Sequence, residues 1–592
     1  MSSSSLERLR IRLSQISSGR LLAGLFVFAL VIRLVYLMEI KHTDFFAVLV
    51  GDGAVYDAWA LAIQKDWIGK EIFYQAPLYP YFLATIYTLF SHDPLIARVI
   101  QMALGSGACV LLALAGRSFF SARVGLLAGF LLALYAPAIF FDGLIQKASL
   151  DLFFMTALLF LLGQIECECR RRWSMLAGIV LGCLALTREN ALVLFPIIFL
   201  WLVWRFWKLR DRQLSMSLFF FLGTAIALAP VAARNHRVGG GFLITTSQFG
   251  PNFYIGNNAR ADGRYAPLLW GHGSALLERD DATRLAEKAL GKRLTPAGVS
   301  RYWTGRSVAW IQSDPAAWLK LMGRKWLLVW NDREIPDSDE PIVYEDASLL
   351  LALLGFVLTF GTICPLALAG IGLTWPERRR LAVLYLTLLG IAASTTLFFV
   401  FARYRYPMVP ILVLFAAAGI REIARLAKEK RPAKLLGFAL LIAAAGFVSR
   451  WNLDPDENPR AMAYYNTAVS LERQDLREQA VSYYRKALEC KPDFVQAHVN
   501  LGVLLAREGE IDEAIAHDQE ALRLRPNDST AHCNLANILI SRGNPDEAER
   551  HYRLALQIQP DLEQAQKGLA SVLEQQKHSA KSRQKKLERR KE

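Results

Sequence analysis

The feature that most constrains this chain is a succession of apolar runs separated by basic loops. The runs lie at about 21–38, 95–116, 123–141, 148–165, 174–187, 190–207, 214–233, 348–374, 381–400, 407–420 and 434–449. About 20 apolar residues cross the hydrocarbon core of a bilayer as a helix. In lipid the backbone must pair its own polar groups, so eleven such runs predict an all-α, polytopic membrane domain. With 592 residues, 53% of them hydrophobic, the chain is too apolar for an ordinary soluble protein and too long for one domain. Its formal net charge of +15 fits cytoplasmic loops better than nucleic acid. The seven cysteines show neither metal nor disulfide spacing.

Charge orients the runs. Residues 1–20, rich in Ser and Arg, read as a cytoplasmic tail, and no small-residue cleavage site follows the first run, which is therefore an anchor helix. The inside loops then hold Arg117 and Arg123, Arg170 to Arg172, Arg205 to Arg212, Arg378 to Arg380, and Arg421 to Lys434. That is the positive-inside pattern. Residues 39–94 become the first outer loop. Its "APLYPYFLATIYTLF" stretch at 76–90 is short for a span and carries Pro77, Pro80 and three tyrosines, which favour an interfacial helix. Were it a crossing, every basic loop would face outward. Residues 234–346 form a large outer segment with glycines at 239–241, "NFYIGNN", and two helical patterns carrying Trp303, Trp310, Trp318, Trp326 and Trp330. It reads either as a lid or acceptor platform or as an interfacial aromatic belt.

From about 455 the composition turns soluble and a repeat begins. Pro492, Pro526 and Pro560 recur at an interval of 34, as do Ala480, Ala514 and Ala548, and Ala487, Ala521 and Ala555. The alanines let two helices approach and the proline ends the second. This is the pattern of tetratricopeptide repeats, an α-solenoid. The expected boundaries are a membrane domain at 21–450, a linker at 451–460, repeats with a capping helix at 461–577, and a basic, disordered tail at 578–592. A stacked-helix groove predicts a protein partner.

Chemistry is expected at "VGDGAVYD", residues 50–57, where Asp52 stands between two glycines in the first outer loop. Asp52 is either a helix N-cap or an acid presented to a substrate. Four basic residues depart from the inside bias: Lys147, Arg188, Arg403 and Arg405 fall at outer ends of spans. They read as a phosphate site, or as partners of local acids such as Asp142 and Glu189. Arg33, inside a span, calls for a carboxylate partner.

The Gly-Asp of the first loop, "APLYPYFLA", "LTREN" and "RYRYP" together resemble bacterial membrane glycosyltransferases of the C-type fold. The nearest group includes the protein O-mannosyltransferases and the lipid A aminoarabinose transferase. "NFYIGNN" and "REIPD" resemble the subset often fused to tetratricopeptide repeats. The resemblance covers about 20–450 and implies a sugar donor carried on a polyprenyl phosphate, transferred with inversion to an acceptor hydroxyl on protein or envelope glycolipid. It makes Asp52 the general base, with Lys147, Arg188, Arg403 and Arg405 on the leaving phosphate. Tyr56, Tyr79 and Asn257, within the resembling stretches, are candidate substrate contacts. The family commonly has a second acid where this chain has Ala148; Asp142 and Asp151 are the nearby substitutes, and Asp142 is taken as the second catalytic acid. Many members carry Asp-Glu where this chain has Asp52-Gly53, which weakens metal binding there and leaves a divalent cation an open question. The implied location is the bacterial inner membrane, with the repeats periplasmic. The alternatives are a membrane-anchored scaffold whose repeats do the work, and a transporter, which would place ionisable residues mid-span.

Overall fold

Helices follow wherever the apolar runs or the repeat dictate, and the described residues contain no strand. The protein is represented by a computed structural model that describes residues 3–49, 51–239, 243–269, 275–335, 339–453 and 458–588. Val50, two of the glycines at 239–241, and parts of "REIPD", the linker and the basic tail lie outside the described residues. The chain divides into two units, Met1–Leu453 and Asp454–Glu592.

In the first unit seven helices are long and apolar enough to cross a bilayer: Gly19–Ile40, Pro94–Phe119, Ala148–Glu168, Arg212–Arg237, Leu349–Glu377, Ala402–Lys428 and Pro432–Ser449. Ala122–Ala133 and Ala136–Asp142 make an eighth candidate, bent by 59°. The bend falls at Tyr135, the extended N-cap of a helix that carries Pro137 in its first turn. The other three runs are helices of 17, 12 and 16 residues, Arg171–Thr187, Leu194–Arg205 and Ala382–Leu397. The first ends at Thr187, as the sequence suggests; the second is shorter than its run because Glu189–Val193 winds as a 3₁₀ turn before it. The third stops where Phe398 leaves helical geometry. The architecture is that of a multi-pass membrane protein.

Small residues set how closely these helices pack. Gly178 and Gly223 face each other's backbones: a Cβ at Gly178 would lie 2.1 Å from the Phe220 carbonyl, and one at Gly223 equally close to that of Met175. Such approach is what glycine permits between membrane helices. The Leu78–Phe90 helix has 13 residues, about 20 Å at 1.5 Å per residue, against a hydrocarbon core of about 30 Å.

The segment from 234 to 346 folds as helices Phe249–Gly256, Ala275–Leu290, Pro296–Ser313, Pro315–Trp330 and Pro341–Ala347. Its tryptophans do not form a uniform belt. Trp303 donates to the Ala282 carbonyl (3.0 Å) and Trp318 to Asn257 Oδ1 (3.1 Å), both within the segment. Trp326 and Trp330 line an apolar groove with Trp204 and Trp375.

The second unit is a run of helix pairs: Pro459–Glu472 with Arg477–Cys490, Val495–Glu508 with Ile511–Leu524, and Ser529–Ser541 with Pro545–Ile558. Ala480, Ala487, Ala514, Ala521, Ala548 and Ala555 are all fully buried, as their spacing predicts. The last helix runs from Glu563 to Glu588, beyond the expected stop at 577. Its Lys, Arg, Gln and Glu are good helix formers, and past Gly568 neither Gly nor Pro interrupts them.

Candidate active site

Asp52 opens the Gly51–Lys65 helix, behind Gly51 in the left-handed region at φ 51°. That turn favours glycine and brings the acid of the next residue into the helix's first turn. Asp52 Oδ2 accepts from Arg403 Nη1 (2.6 Å) and from the Tyr56 hydroxyl one turn on (3.4 Å). Arg403 Nη1 also donates to Gln146 Oε1 (3.1 Å). Gly53 keeps the helix close to the 143–147 loop, since a Cβ there would lie 3.4 Å from the Ile145 carbonyl. Burial pushes the Asp52 carboxyl up, but Arg403, Lys147 and the Tyr56 hydroxyl outweigh it, and the group is held below the usual carboxylate range.

Lys147 and Arg188 meet beside it. Both line a cavity of about 580 Å³ with Glu189, Asn190, Thr246 and Tyr404. Arg188 is fixed from behind: Nε and Nη2 donate to Asp151 Oδ2 (2.8 and 2.6 Å), while Thr187 donates to Oδ1 (2.6 Å). Its guanidinium lies over the Tyr404 ring at 5.1 Å, and Arg403 lies over the same ring at 5.5 Å. Glu189 accepts from Thr246 (3.1 Å) and Gln248 (2.7 Å), tying the large segment to the cavity wall. Burial pulls the Lys147 ammonium down; Glu189 and Asp151 act to raise it, and Arg403 and Arg188 lower it further. A bound anion would relieve that crowding of positive charge.

The other expected site residues go elsewhere. Asp142 is fully buried and accepts from Arg33 Nε (2.8 Å); both side chains have 0% exposure. Arg33 thus has the carboxylate its position demanded, and that carboxylate is Asp142. Arg405 turns away from its neighbour Arg403: it bonds the Asn331 and Arg333 carbonyls, pairs with Glu334 (3.1 Å), and lies over the Phe360 ring. Asn257 is buried, donating to the Phe253 and Leu397 carbonyls. Tyr79 is also buried, and donates to Gln101 (2.6 Å), which in turn holds the Leu144 carbonyl. Tyr79 therefore shapes the 143–147 loop from beneath.

Sequence reasoning missed Gln146, Tyr404 and Glu278. The first two adjoin the singled-out Lys147 and Arg403, and that adjacency was their available signal. Glu278 accepts from Tyr74 (3.0 Å) and Tyr265 (2.6 Å). Burial raises its carboxyl; the two phenols oppose this, and the Asp52 charge adds to it. Nothing in the pattern around Glu278 marked it. Three cations, Lys147, Arg188 and Arg403, stand around Asp52 and Glu189, and Asp151 is taken up by Arg188, a donor set that favours an anion over a divalent metal. Among the described residues no cluster of three or more His, Cys, Asp or Glu could hold one.

Residues 74–234 match the family model described as dolichyl-phosphate-mannose-protein mannosyltransferase. Residues 461–494 and 493–561 match tetratricopeptide-repeat models. No curated protein matches the chain. Among solved structures, the S. cerevisiae protein O-mannosyltransferase Pmt1-Pmt2 complex bound to the sugar donor is 17% identical; the match covers 42% of this chain and 38% of that one, with a TM-score of 0.32. The Archaeoglobus fulgidus oligosaccharyltransferase in the apo form is 14% identical over 92% of this chain and 72% of that one, with a TM-score of 0.44. YrrB, a tetratricopeptide-repeat protein with an unusual peptide-binding site, is 18% identical over 34% and 89%, with a TM-score of 0.18. One stretch of the chain thus resembles the mannosyltransferase family model and another the repeat models.

Proposed function

We propose that the membrane unit transfers a sugar from a polyprenyl-phosphate donor to an acceptor hydroxyl, on a polypeptide or envelope glycolipid, at the outer face of a bacterial inner membrane. The observation that carries this reading is the carboxylate of Asp52 held by Arg403 beside a cavity lined by Lys147 and Arg188. A transferase of this kind needs one base at the nucleophile and positive charge at the leaving phosphate.

The mechanism follows from the shared guanidinium. Before the donor binds, Arg403 neutralises Asp52 and keeps it a weak base. A donor phosphate among Lys147, Arg188 and Arg403 competes for that charge. As Arg403 turns to the phosphate, Asp52 loses its strongest stabilising partner and becomes more basic. It then takes the proton of the acceptor hydroxyl while the oxygen attacks the anomeric carbon. The bond from that carbon to the phosphate oxygen breaks, and the lipid phosphate leaves with its negative charge held by Lys147 and Arg188. One displacement gives inversion. Asp151 and Thr187 position Arg188 and do not touch the substrate. Asp142, Arg405, Asn257 and Tyr79 serve the fold in this scheme, and no metal takes part.

The test is sugar transfer from a lipid-linked donor to a small hydroxyl acceptor by the purified full chain. Wild-type activity with loss in Asp52→Asn supports the reading. Donor binding with no transfer to any acceptor, by a wild-type protein that is folded, would sink it.

A further inference from the structure

Four buried arginines of the membrane unit each meet a carboxylate: Arg33 with Asp142, Arg188 with Asp151, Arg403 with Asp52, and Arg405 with Glu334. Arg98, in the Pro94–Phe119 helix, is just as buried and does not. Its Nε is fully enclosed without a partner, and no hydrogen bond or ion pair reaches the guanidinium from any described residue. The Phe46 ring lies 3.9 Å from its Cζ. A ring covers only the flat face of a guanidinium; the N–H donors lie on the edge. The titratable groups around Arg98 are Tyr344, Tyr79, Asp339 and Tyr36. Asp339 accepts from the Tyr344 hydroxyl (3.0 Å) and forms no pair with Arg98. Tyr79 donates to Gln101 (2.6 Å).

Tyr36 is the second, independent observation. It is fully buried, and its hydroxyl has no partner among the described residues. Glu39, an acid beside it, is taken: it accepts from the Ser348 hydroxyl and from the Leu350 N–H. Two buried donors, a guanidinium and a phenol, therefore stand together with nothing to accept from them. A buried charge without a partner is costly, and such a group in a folded protein marks a place for a ligand or ion. The location selects the kind of anion. Arg98 is one turn from the start of its helix, at the end joined to the 39–94 loop. On the same helix Leu95 and Val99 are exposed; Val35 and Met38 are exposed beside Tyr36 on the Gly19–Ile40 helix, which packs on it. Exposed apolar side chains on membrane helices face lipid tails. The two donors thus sit at the ends of lipid-facing helices, where phosphate headgroups lie, and the edge of an arginine can bind two phosphate oxygens at once.

We propose that Arg98 and Tyr36 bind the phosphate of an anionic bilayer phospholipid, whose acyl chains lie along the exposed faces of the Gly19–Ile40 and Pro94–Phe119 helices. The site shares no residue with the Lys147, Arg188 and Arg403 cluster and is independent of the chemistry at Asp52. The lipid is a resident ligand and not a substrate: it gives Arg98 the counter-charge that Asp142 gives Arg33.

The experiment titrates the detergent-purified, delipidated full chain with phosphatidylglycerol and with diacylglycerol of the same acyl chains, counting bound lipid by native mass spectrometry. Wild type should prefer phosphatidylglycerol by about tenfold or more, the scale of charge-assisted phosphate contacts, and inorganic phosphate at equal concentration should not displace it. Arg98→Met should abolish the preference, and Tyr36→Phe should weaken it about threefold, the scale of one neutral hydrogen bond. Arg188→Ala should keep it, which separates this site from the cavity beside Asp52. In lipid-free detergent Arg98→Met should melt no lower than wild type, because it removes a buried charge that lacks a partner. Phosphatidylglycerol should then raise the melting temperature of wild type and not of the variant. If Arg98→Met fails to insert, Tyr36→Phe decides, since it removes only an unpartnered hydroxyl. The proposal is overturned if wild type shows no preference, if Arg98→Met or Tyr36→Phe keeps it in full, or if Arg188→Ala loses it. Displacement by inorganic phosphate would also overturn it, by making the ligand a free anion. Sugar transfer is not read in this assay, so a dead active site and an empty lipid site give different results.

Discussion

Two of the aspartate–arginine pairs in the membrane unit, Asp142–Arg33 and Asp52–Arg403, differ in what surrounds them. Asp142 and Arg33 are 2.8 Å apart with no exposed surface on either side chain. Arg33 also donates toward the Ala29 and Ala133 carbonyls, and Gly105 lies so close that a Cβ there would collide with Asp142 Oδ2. Asp52 and Arg403 are as close, at 2.6 Å, but Asp52 keeps 14% of its side chain exposed and Arg403 has Gln146 and the Tyr404 ring as further partners. A pair closed on all sides holds helices in place. A pair with one open side can exchange a partner, which a reaction with a charged donor requires.

Exchanging each acid for its amide should separate the two roles most widely. Asp52→Asn keeps the size of the side chain and removes its basicity. Transfer under saturating donor should fall by about 10²–10⁴-fold, the usual worth of a positioned general base, with insertion and donor binding retained. Asp142→Asn should lower the amount of folded protein and leave transfer per folded molecule near wild type. Equal rate losses in both would erase the distinction.

The closed pair has its own test. Arg33→Ala strands a buried carboxylate and should cost about 3–5 kcal/mol of stability. The double replacement Arg33→Met with Asp142→Leu removes both charges and should recover most of that loss. Detergent-solubilised melting curves read both. A double variant no better than the single would mean the pair is not the closed unit described.

Both acids and all four outer cations were legible in the sequence, because a charge near an apolar run is conspicuous. Which of the two acids lies beside the cavity was not. Asp52 and Asp142 differ by their tertiary partners, and those lie 351 and 109 residues away in the chain. Arg403 and Arg405 show the same limit at short range. They are two apart in "RYRYP", yet the turn from Ala402–Arg405 into the Tyr406–Met408 3₁₀ segment sends them to different partners. The repeats were readable from the sequence, since each register is local and recurs. Two short membrane helices were over-read, because hydropathy does not register the 3₁₀ turn at Glu189–Val193 or the helix end before Phe398.

Arginine pairs sharpen the comparison at the next level of effect. Arg188→Ala should raise the KM for donor by about 10–100-fold, the scale of charge-assisted hydrogen bonds at about 1.5–3 kcal/mol, with a smaller change in kcat. Arg405→Ala should leave that KM unchanged and lower stability by freeing the 329–334 segment from its carbonyl contacts. A rise in KM with Arg405→Ala would restore it to the phosphate site.

The smallest effect is a displacement of the pH profile, and it tests the open pair directly. Asp52 must be ionised to accept a proton, and its folded-state pKa lies below the ordinary value, about 3.9 for an aspartate. The acid limb of kcat/KM, which reports the free enzyme, should therefore fall below that value, leaving the rate insensitive to this group above about pH 5. The sign of the linkage is the same: the stability Asp52 contributes is present above its unfolded-state pKa and is lost as pH falls through the lower folded one. Arg403→Gln removes the leading opposing charge and leaves burial to dominate, so the limb should move up past the ordinary aspartate value, and some transfer at neutral pH should survive. Arg405→Gln, two residues away and facing another loop, should leave the limb where it is. If the limb stays fixed in Arg403→Gln, the titrating group is not Asp52, and the base lies elsewhere in the cavity, with Glu189 the first carboxylate to test.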